Sequence, residues 1–283
     1  MTTTSLNWQP MWESAINRSS LNHRMNNISE KERINRLADS WYKKVGHKFN
    51  PDDQQKKPEF EEEFNRFKRF ITKASSVLDI GAGMGRLSVP LAKEVRKLTA
   101  IEPGRVYMNI MKDKAAREDI GNMEFSESLW ADFPLQKKYD LVCSTWSGAV
   151  MDPASLMKMH EASRGYCALE LGASPSNNND FMQLYAMIMG EEYRYRGNYL
   201  NIVTTLYDHG IYANIETWEY NTVIKYENME EAVELRRIGF EDYIHVTDEM
   251  IEQFRQFYRA RMNADGTYSY PAKGVACMIW WKV

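Results

Sequence analysis

The chain has 283 residues, of which 43% are hydrophobic and 27% charged, and its formal net charge is −3. This length and composition predict a globular chain of one large or two domains with a substantial core. The slight excess of acidic residues provides no general attraction for phosphate backbones, so nucleic acid is not expected as the main partner.

The cysteines and histidines show no pattern of a metal or disulfide site. Cys143, Cys167 and Cys277 each lie in an apolar run typical of a strand, which predicts reduced core thiols. The histidines are scattered without zinc-site spacing, so no metal is expected. The N-terminus lacks a basic-then-apolar signal, and no apolar run reaches the roughly 18 residues that span a bilayer. We therefore expect a cytoplasmic protein without membrane contact.

The first 73 residues are polar and helical in pattern. Ser29 with Glu32 fits a capping box that begins one helix, and apolar residues then recur at helical spacing. A second helix is predicted after Pro58. We interpret this segment as an N-terminal helical cap, which either packs onto a core or closes over a pocket.

From residue 75 short apolar runs alternate with helical segments, a pattern typical of a parallel sheet with crossover helices. Strands are predicted at 75–80, 97–102, 122–126, 139–144 and 164–171, and helices at about 86–95, 105–117 and 153–162. A polar, tyrosine-rich stretch follows at about 175–210. The remaining segments predict a strand at 212–224, helices near 229–238 and 248–262, and a last strand at 275–281.

The stretch VLDIGAGMGR places Gly81, Gly83 and Gly85 directly after a predicted strand. Such a loop lets the backbone approach a ligand closely, and the following helix offers free amide groups. Dinucleotide-binding and methyl-donor-binding sheets share this feature. The GxGxG spacing differs from the GxGxxG of dinucleotide sites. Asp79 at the strand end would repel a pyrophosphate, whereas it suits the ammonium and sulfonium groups of S-adenosylmethionine.

Glu102 closes the next predicted strand, seventeen residues after Gly85. A carboxylate at this place can accept hydrogen bonds from both hydroxyl groups of a ribose. Because either class of cofactor carries a ribose, Glu102 indicates nucleoside binding without choosing between them.

Four stretches together resemble the class I S-adenosylmethionine-dependent methyltransferase family: VLDIGAGMGR, TAIEPG, MEFSESLWADFP and YDLVCSTWS. The resemblance covers about residues 75–171. It implies an α/β, Rossmann-like, doubly wound, mostly parallel seven-stranded sheet whose last strand is antiparallel. It also implies S-adenosyl-L-methionine as cofactor, with S-adenosyl-L-homocysteine as product. The residues that it places at the cofactor are Asp79, Gly81, Gly83, Gly85, Glu102, Pro103, Leu129, Trp130, Ser144 and Trp146.

Two positions in this resemblance leave alternatives open. Leu129 and Trp130 stand where the family usually has an Asp-Ala pair that touches adenine. A hydrogen bond to adenine must then come from elsewhere, and Trp130 either stacks on the ring or packs at a helix edge. Trp146, at the end of the fourth strand, either packs on the methionine chain, lines the substrate pocket, or belongs to the core.

The acceptor is less specified than the donor. The end of the fourth strand lacks the Pro-Pro-aromatic and Pro-Cys signatures of DNA-methylating enzymes and the Asp ligands of metal-assisted ones. Aromatic residues outside the central strands suit a partly apolar small molecule, with ordinary burial as the competing explanation, and the composition favours the small-molecule substrate. The residues predicted to bind this substrate are Trp41, Tyr42, Trp146 and Tyr199. Methyl transfer from a sulfonium needs mainly orientation and exclusion of water, so no catalytic residue is assigned.

The sequence therefore predicts an enzyme that transfers a methyl group to an O, N or S atom of a small molecule, as a monomer or homodimer. Its parts are a helical cap at 1–73 and a methyltransferase domain at 74–283 with a substrate-cover insertion at about 175–210. A protein methyltransferase and a non-catalytic, S-adenosylmethionine-binding scaffold subunit are the alternatives. A dinucleotide-dependent oxidoreductase is disfavoured by Asp79 and by the glycine spacing.

Overall fold

The computed structural model describes residues 7–23, 28–44, 46, 51–173 and 180–283. The N-terminal helices are α1 (Gln9–Asn17), a 3₁₀ helix (Ser20–His23), α2 (Glu30–Lys44), α3 (Pro51–Gln55) and α4 (Pro58–Lys68). The predicted cap of α2 is confirmed, because the Ser29 hydroxyl accepts a hydrogen bond from the Glu32 N–H at 3.2 Å. The helix predicted after Pro58 is α4, in which proline takes the first turn, where its missing N–H is not needed.

Seven strands form one mixed sheet. They are β1 (Ser76–Ile80), β2 (Lys97–Ile101), β3 (Met123–Ser126), β4 (Tyr139–Thr145), β5 (Ser163–Gly172), β6 (Asn214–Tyr226) and β7 (Tyr268–Lys282). The order is β3-β2-β1-β4-β5-β7-β6, with β7 antiparallel to both neighbours and the other pairs parallel. This confirms the predicted Rossmann-like sheet. The order reverses between β1 and β4, which opens a crevice at the carboxyl ends of these strands.

Helices cover both faces of the sheet. The remaining ones are α5 (Ser88–Glu94), α6 (Arg105–Arg117), α7 (Pro153–Ala162), α8 (Asp180–Met189), α9 (Tyr199–Asp208), α10 (Met229–Phe240) and α11 (Asp248–Arg259). One face packs against α4, α5 and α6 through residues such as Phe67, Leu91 and Met111. The other packs against α1, α7 and α9 around Trp12.

The central strands are buried on both sides, as their continuous apolar runs predict. All five residues of β1 are buried, and the alternation of the strand sends Val77 to one core cluster and Leu78 to the other. Cys143, Cys167 and Cys277 lie in β4, β5 and β7, where they are buried and free. Their prediction as core thiols is confirmed.

The last strand is longer than predicted, whereas β6 has the predicted length and is shifted by two residues. β7 begins at Tyr268 and not at residue 275, and Pro271 lies within it opposite Val223 of β6. In the sequence, Pro271 and Gly274 are residue types typical of a turn. However, β7 pairs with β5 only from Ala276 onward, so its first half has an open edge where a residue without an N–H is tolerated.

The extended part of this β6–β7 hairpin packs with α8, α10 and α11 in what we call the aromatic unit. Its core includes Tyr185, Tyr226, Phe240, Phe254 and Tyr258. The unit projects beyond the carboxyl ends of the parallel strands, because the β6–β7 ladder continues to Tyr268 where β5 has already ended.

The stretch predicted as a cover insertion at about 175–210 is divided between two places. Its helix α8 belongs to the aromatic unit, whereas α9 packs with α1, α7 and the sheet. Residues 174–179, at its start, lie outside the described residues. The boundaries of the cap, domain and insertion stay predictions.

Candidate active site

The glycine loop after β1 has a conformation that glycine adopts easily and other residues rarely do. Gly81, Gly83 and Gly85 have φ angles of +73°, +56° and +79°. A methyl group on Gly81 would lie 2.0 Å from the Ser147 hydroxyl, and one on Gly85 would lie 2.6 Å from the Met111 side chain. A methyl group on Gly83 would have no described atom within 4 Å. Gly83 therefore forms the open side of the loop.

Glu102, at the end of β2, is hydrogen-bonded to this open glycine. Its Oε2 accepts from the Gly83 N–H at 2.9 Å, and its Oε1 accepts from the Gly104 N–H at 2.7 Å. Burial raises the pKa of this carboxyl, while the two amide bonds oppose the rise. Each carboxylate oxygen has a further lone pair. Glu102 can therefore hold the loop and still accept hydroxyl groups of a ligand.

Asp79, which the sequence predicts to repel a pyrophosphate, is buried next to the glycine loop and not exposed in it. Its carboxylate is buried and accepts a hydrogen bond from the hydroxyl of Ser88, the first residue of α5, at 2.5 Å. Burial raises the pKa of Asp79 to about 6, against the lowering effect of the Ser88 bond. Asp79 is therefore still mostly ionised at neutral pH, but its carboxylate lies within the protein and not at the surface of the loop. Glu102 disfavours a phosphate more directly, because its carboxylate already accepts the Gly83 amide proton.

Helix α2 lies across the ends of β2 and β3. The Lys31 ammonium donates to the Glu127 carbonyl at 2.6 Å. The Asn35 amide nitrogen donates to the Pro103 carbonyl at 3.1 Å, and its oxygen accepts from the Arg105 N–H at 2.8 Å. The N-terminal segment therefore covers the strand ends where the nucleoside-binding residues are predicted.

Trp130 is a core residue and does not present an open ring face. It is 3% exposed, its indole N–H donates to the Ser155 carbonyl at 3.0 Å, and its ring packs against Phe133. Of the two interpretations of Trp130, packing at a helix edge agrees with this position and stacking on adenine does not. Leu129 is partly buried beside it, and its role at adenine stays a prediction.

The end of β4 joins the glycine loop. Ser144 is buried, and its hydroxyl donates to the Ile80 carbonyl at 2.8 Å, which ties β4 to β1. Trp146 follows with a left-handed φ of +51° and is 51% exposed, so it is not a core residue. Its backbone N–H donates to the Glu170 carbonyl at 2.8 Å, and its indole N–H donates to Glu170 Oε1 at 3.1 Å.

Two of the predicted substrate-binding residues lie on α2. Trp41 packs edge-on against Tyr107, with ring centroids 6.1 Å apart, and Tyr107 lies next to Gly104. Tyr42 lines a cavity of about 710 Å³ together with Met84 of the glycine loop. Both rings therefore stand at the side of the site that α2 covers.

Tyr199 stands apart from these rings. It begins α9 and packs, partly buried, against the core cluster that contains Trp12. The segment just before it contacts the loop after β4 through Arg196, whose guanidinium donates to the Gly148 carbonyl. A role for Tyr199 in substrate binding stays a prediction.

Sequence reasoning missed a group of charged side chains beneath Trp146 and the loop. Arg86 pairs with Glu63 of α4 through two hydrogen bonds, one of them 2.6 Å long. Arg66 of α4 lies 3.6 Å from Glu170. Burial raises the pKa of Glu170 to about 7, and repulsion from Glu63 adds to the rise.

One sequence signal could have found this group. Glu170 interrupts the apolar run CALELG of β5, and a carboxylate inside a buried strand needs nearby partners. Its cationic neighbour Arg66 comes from α4, more than a hundred positions earlier, so this pairing cannot be predicted from the local sequence pattern.

The described residues contain no cluster of three or more His, Cys, Asp or Glu side chains that could hold a metal ion. Burial raises the pKa of the Cys143 and Cys167 thiols, which keeps both of them neutral. Among the helices that the structure describes, none has the length and apolarity needed to cross a membrane.

The central strands match a known protein family. Residues 77–165 match the model of a family described as "Methyltransferase domain", a segment that holds the glycine loop, Glu102 and Trp146. A curated relative is the Probable ribosomal RNA small subunit methyltransferase A of Methanosphaera stadtmanae, 34% identical over 82 residues. The aligned part is 28% of this chain and 29% of the relative, so the chain spans less than a third of that protein's length.

Solved structures share the fold at low sequence identity. The YcgJ protein from Bacillus subtilis aligns with a TM-score of 0.55 at 12% identity, over 78% of this chain and 98% of that chain. A Bacillus halodurans C-125 protein provisionally described as a methyltransferase aligns with a TM-score of 0.52 at 14% identity, over 78% and 97% of the two chains. At these identities the likeness demonstrates the fold alone.

Proposed function

For this chain, a member of the class I S-adenosylmethionine-dependent methyltransferase family, we propose methyl transfer to an O, N or S atom of a small molecule. The observation that carries the proposal is the glycine loop, whose open residue Gly83 is held by Glu102. The end of β4 lies against the same loop, because Ser147 fills the space beside Gly81. Donor and acceptor regions are therefore neighbours.

The residues of the loop fit this methyl donor. The free lone pairs of Glu102 suit the two ribose hydroxyls, and the open side of Gly83 allows close approach of a ligand. Asp79, buried beneath the loop, adds negative charge when ionised, which favours a cationic ligand. Bound there, S-adenosylmethionine would supply a methyl group already activated on a sulfonium. The proposed cofactor-binding residues remain Asp79, Gly81, Gly83, Gly85, Glu102, Pro103, Leu129, Ser144 and Trp146, with Trp130 packed in the core beneath them.

The chain contributes mainly orientation and exclusion of water. Helix α2 closes the nucleoside end of the site through Lys31 and Asn35, and Glu102 fixes the loop. We place the acceptor beside Trp146, where Tyr220 of the β6–β7 hairpin meets the indole edge-on at 6.1 Å between ring centroids. In this proposal the N-terminal helices cap the donor and the aromatic unit borders the acceptor.

Ribosomal RNA is a second candidate acceptor, because the name of the curated relative gives it that substrate. The net charge of −3 weakens this candidate, since RNA-binding proteins need a basic surface. A protein acceptor and a scaffold without turnover remain the alternatives from the sequence.

Methyl-labelled S-adenosylmethionine separates these functions. The purified chain is incubated with the label and with a small-molecule extract, small ribosomal subunits or a protein pool. We expect label in the small-molecule fraction and none with the Glu102→Ala variant. Incorporation into ribosomal RNA or protein would replace the proposal by the corresponding alternative. Cofactor binding without incorporation in any fraction would indicate the scaffold.

A further inference from the structure

Resting on this proposed methyl transfer, we infer that Glu170 is a positioning residue that holds the Trp146 indole as a platform on which a planar acceptor ring stacks. Glu170 accepts both available N–H groups of Trp146, the backbone one with its carbonyl and the indole one with its carboxylate. The backbone and the side chain of Glu170 thus fix the backbone and the indole of Trp146.

The backbone of Trp146 is strained, and burial does not hold it. A φ of +51° is unusual for a bulky residue, and such strain persists only where the surroundings enforce it. Half of the Trp146 surface is exposed, so core packing does not enforce it. The two hydrogen bonds to Glu170 hold both the backbone and the indole of Trp146 in this conformation. Strain of this kind concentrates at ligand-binding sites.

Glu170 is itself fixed from the other side. It is 4% exposed in β5, and its Oε2 lies 3.6 Å from the Arg66 Nε of α4. Neither of these two atoms has a hydrogen-bond partner among the described residues, so their attraction is purely that of an ion pair. The Arg66 guanidinium also lies over the Trp218 ring, 3.8 Å from its centroid. The carboxylate is therefore a rigid anchor for the exposed indole.

The position of the platform matches an acceptor site. Trp146 directly follows β4 at the carboxyl edge of the sheet, where ligands of open α/β sheets bind. The next residue, Ser147, lies against Gly81 of the loop. The Tyr220 ring is perpendicular to the indole, with an interplanar angle of 89°, so Tyr220 is not stacked on it. A flat ring is the ligand chemistry that an exposed indole face recognises.

The test uses 2-naphthol as a planar probe and decahydro-2-naphthol, its saturated counterpart, as the matched control. Binding is followed in the presence of S-adenosylhomocysteine by the indole ¹⁵N–¹H resonance of Trp146, which the Trp146→Phe variant assigns. We expect the planar probe to shift this resonance and to bind about fivefold more tightly than the saturated one, as stacking implies.

Substitutions of Glu170 separate positioning from simple stability. Glu170→Ala removes the side-chain anchor, and we expect the Trp146 resonance to move before any probe is added and the preference for the planar probe to vanish. Glu170→Gln keeps an oxygen that accepts the indole N–H and loses only the ion pair with Arg66, so we expect it to restore most of the resonance position and of the preference. Circular dichroism and thermal melting establish that each variant is folded.

The inference fails if Glu170→Ala leaves the resonance and the planar preference as in the wild type, or if the two probes bind the wild type equally. Binding of S-adenosylhomocysteine by all variants is measured alongside. If the wild type does not bind S-adenosylhomocysteine, the result contradicts the proposed function and not the inference about Glu170. The failure of the inference and the failure of the proposed function are therefore distinguishable.

Discussion

Glu102 accepts the N–H of Gly83 at 2.9 Å, which joins the end of β2 to the open side of the glycine loop. In dinucleotide and phosphate sites the corresponding amides face a phosphate. Here the Gly83 N–H is already hydrogen-bonded to the Glu102 carboxylate. The loop therefore disfavours anionic ligands and suits a ligand with hydroxyl groups and positive charge. This relationship links two features that the sequence presents nineteen positions apart.

Removal of the Glu102 carboxylate should weaken cofactor binding. Glu102→Ala is expected to lower the affinity for S-adenosylhomocysteine by about 1–3 kcal/mol, because charge-assisted hydrogen bonds to the ribose and the loop are lost. Calorimetric titration measures the loss. Glu124→Ala removes a carboxylate that pairs with Lys97 and Lys137 on the surface and serves as control. Equal affinities in the two variants would exclude Glu102 from the site.

Substitution of Gly81 should affect mainly the stability of the fold, whereas substitution of Gly83 should affect mainly the binding of the cofactor. Gly81→Ala combines a left-handed backbone with a methyl group 2.0 Å from the Ser147 hydroxyl, and it should destabilise the fold. Gly83→Ala carries only the backbone strain, about 1–2 kcal/mol, but its methyl group stands on the open side and should block the cofactor.

A distant glycine controls for the strain itself. Gly210 has a φ of +72° and, like Gly83, no described atom within 4 Å of an added methyl group. Gly210→Ala should lose the same unfolding free energy in urea as Gly83→Ala and retain cofactor affinity. Loss of affinity in both variants would show that strain, and not the place of the methyl group, is responsible.

The buried carboxyl of Asp79 should make stability fall as pH rises. Its folded pKa of about 6 exceeds the ordinary value of 3.8, so the folded chain binds the proton more tightly than the unfolded one. The free energy of unfolding therefore decreases from about pH 4 to about pH 6, by at most about 3 kcal/mol for this group, and stays lower above that range.

Asp79→Asn isolates this effect. The amide keeps an oxygen for the Ser88 hydroxyl and does not titrate, so its stability relative to the wild type should increase between pH 4 and pH 6. Urea unfolding at a series of pH values measures the difference. A difference that is constant over this range would contradict the raised pKa of Asp79.

The ion pair between Arg33 and Asp242 should matter more than those on the surface. Arg33 of α2 donates two hydrogen bonds, of 3.1 and 3.2 Å, to the buried Asp242 carboxylate just after α10. Arg33→Ala is expected to cost about 3 kcal/mol of unfolding free energy, because it removes a cationic partner from a buried carboxylate. Arg36→Ala breaks the exposed pair with Glu32 and should cost less than about 1 kcal/mol. Similar losses in the two variants would contradict this account.

The sequence predicts the central sheet well because strands that are buried on both faces consist of continuous apolar runs. It predicts the second half of β7 for the same reason. The first half escapes prediction, since Pro271 and Gly274 have turn chemistry and only the open edge of the strand makes them acceptable. The aromatic unit is assembled from segments far apart in the chain, which no local pattern joins.

The candidate site divides in a similar way. Gly81, Gly83, Gly85 and Glu102 are recognisable because backbone conformation and strand position are local properties. The direction of Asp79 depends on Ser88, and the burial of Trp130 depends on α7, so both needed the fold. The role of Glu170 depends on its contacts with Trp146 and Arg66, which lie on different elements of the fold.

The β6–β7 hairpin sets the mechanics of the site. Its thirteen cross-strand pairs run without a register shift from Asn214–Trp280 beside β5 to Tyr226–Tyr268 in the aromatic unit. An uninterrupted ladder of cross-strand hydrogen bonds resists bending at any single residue, so the aromatic unit is rigidly attached to the sheet. Helix α2 packs against both α10 of this unit and α6, so an opening of the site at α2 must break the Arg33–Asp242 ion pair.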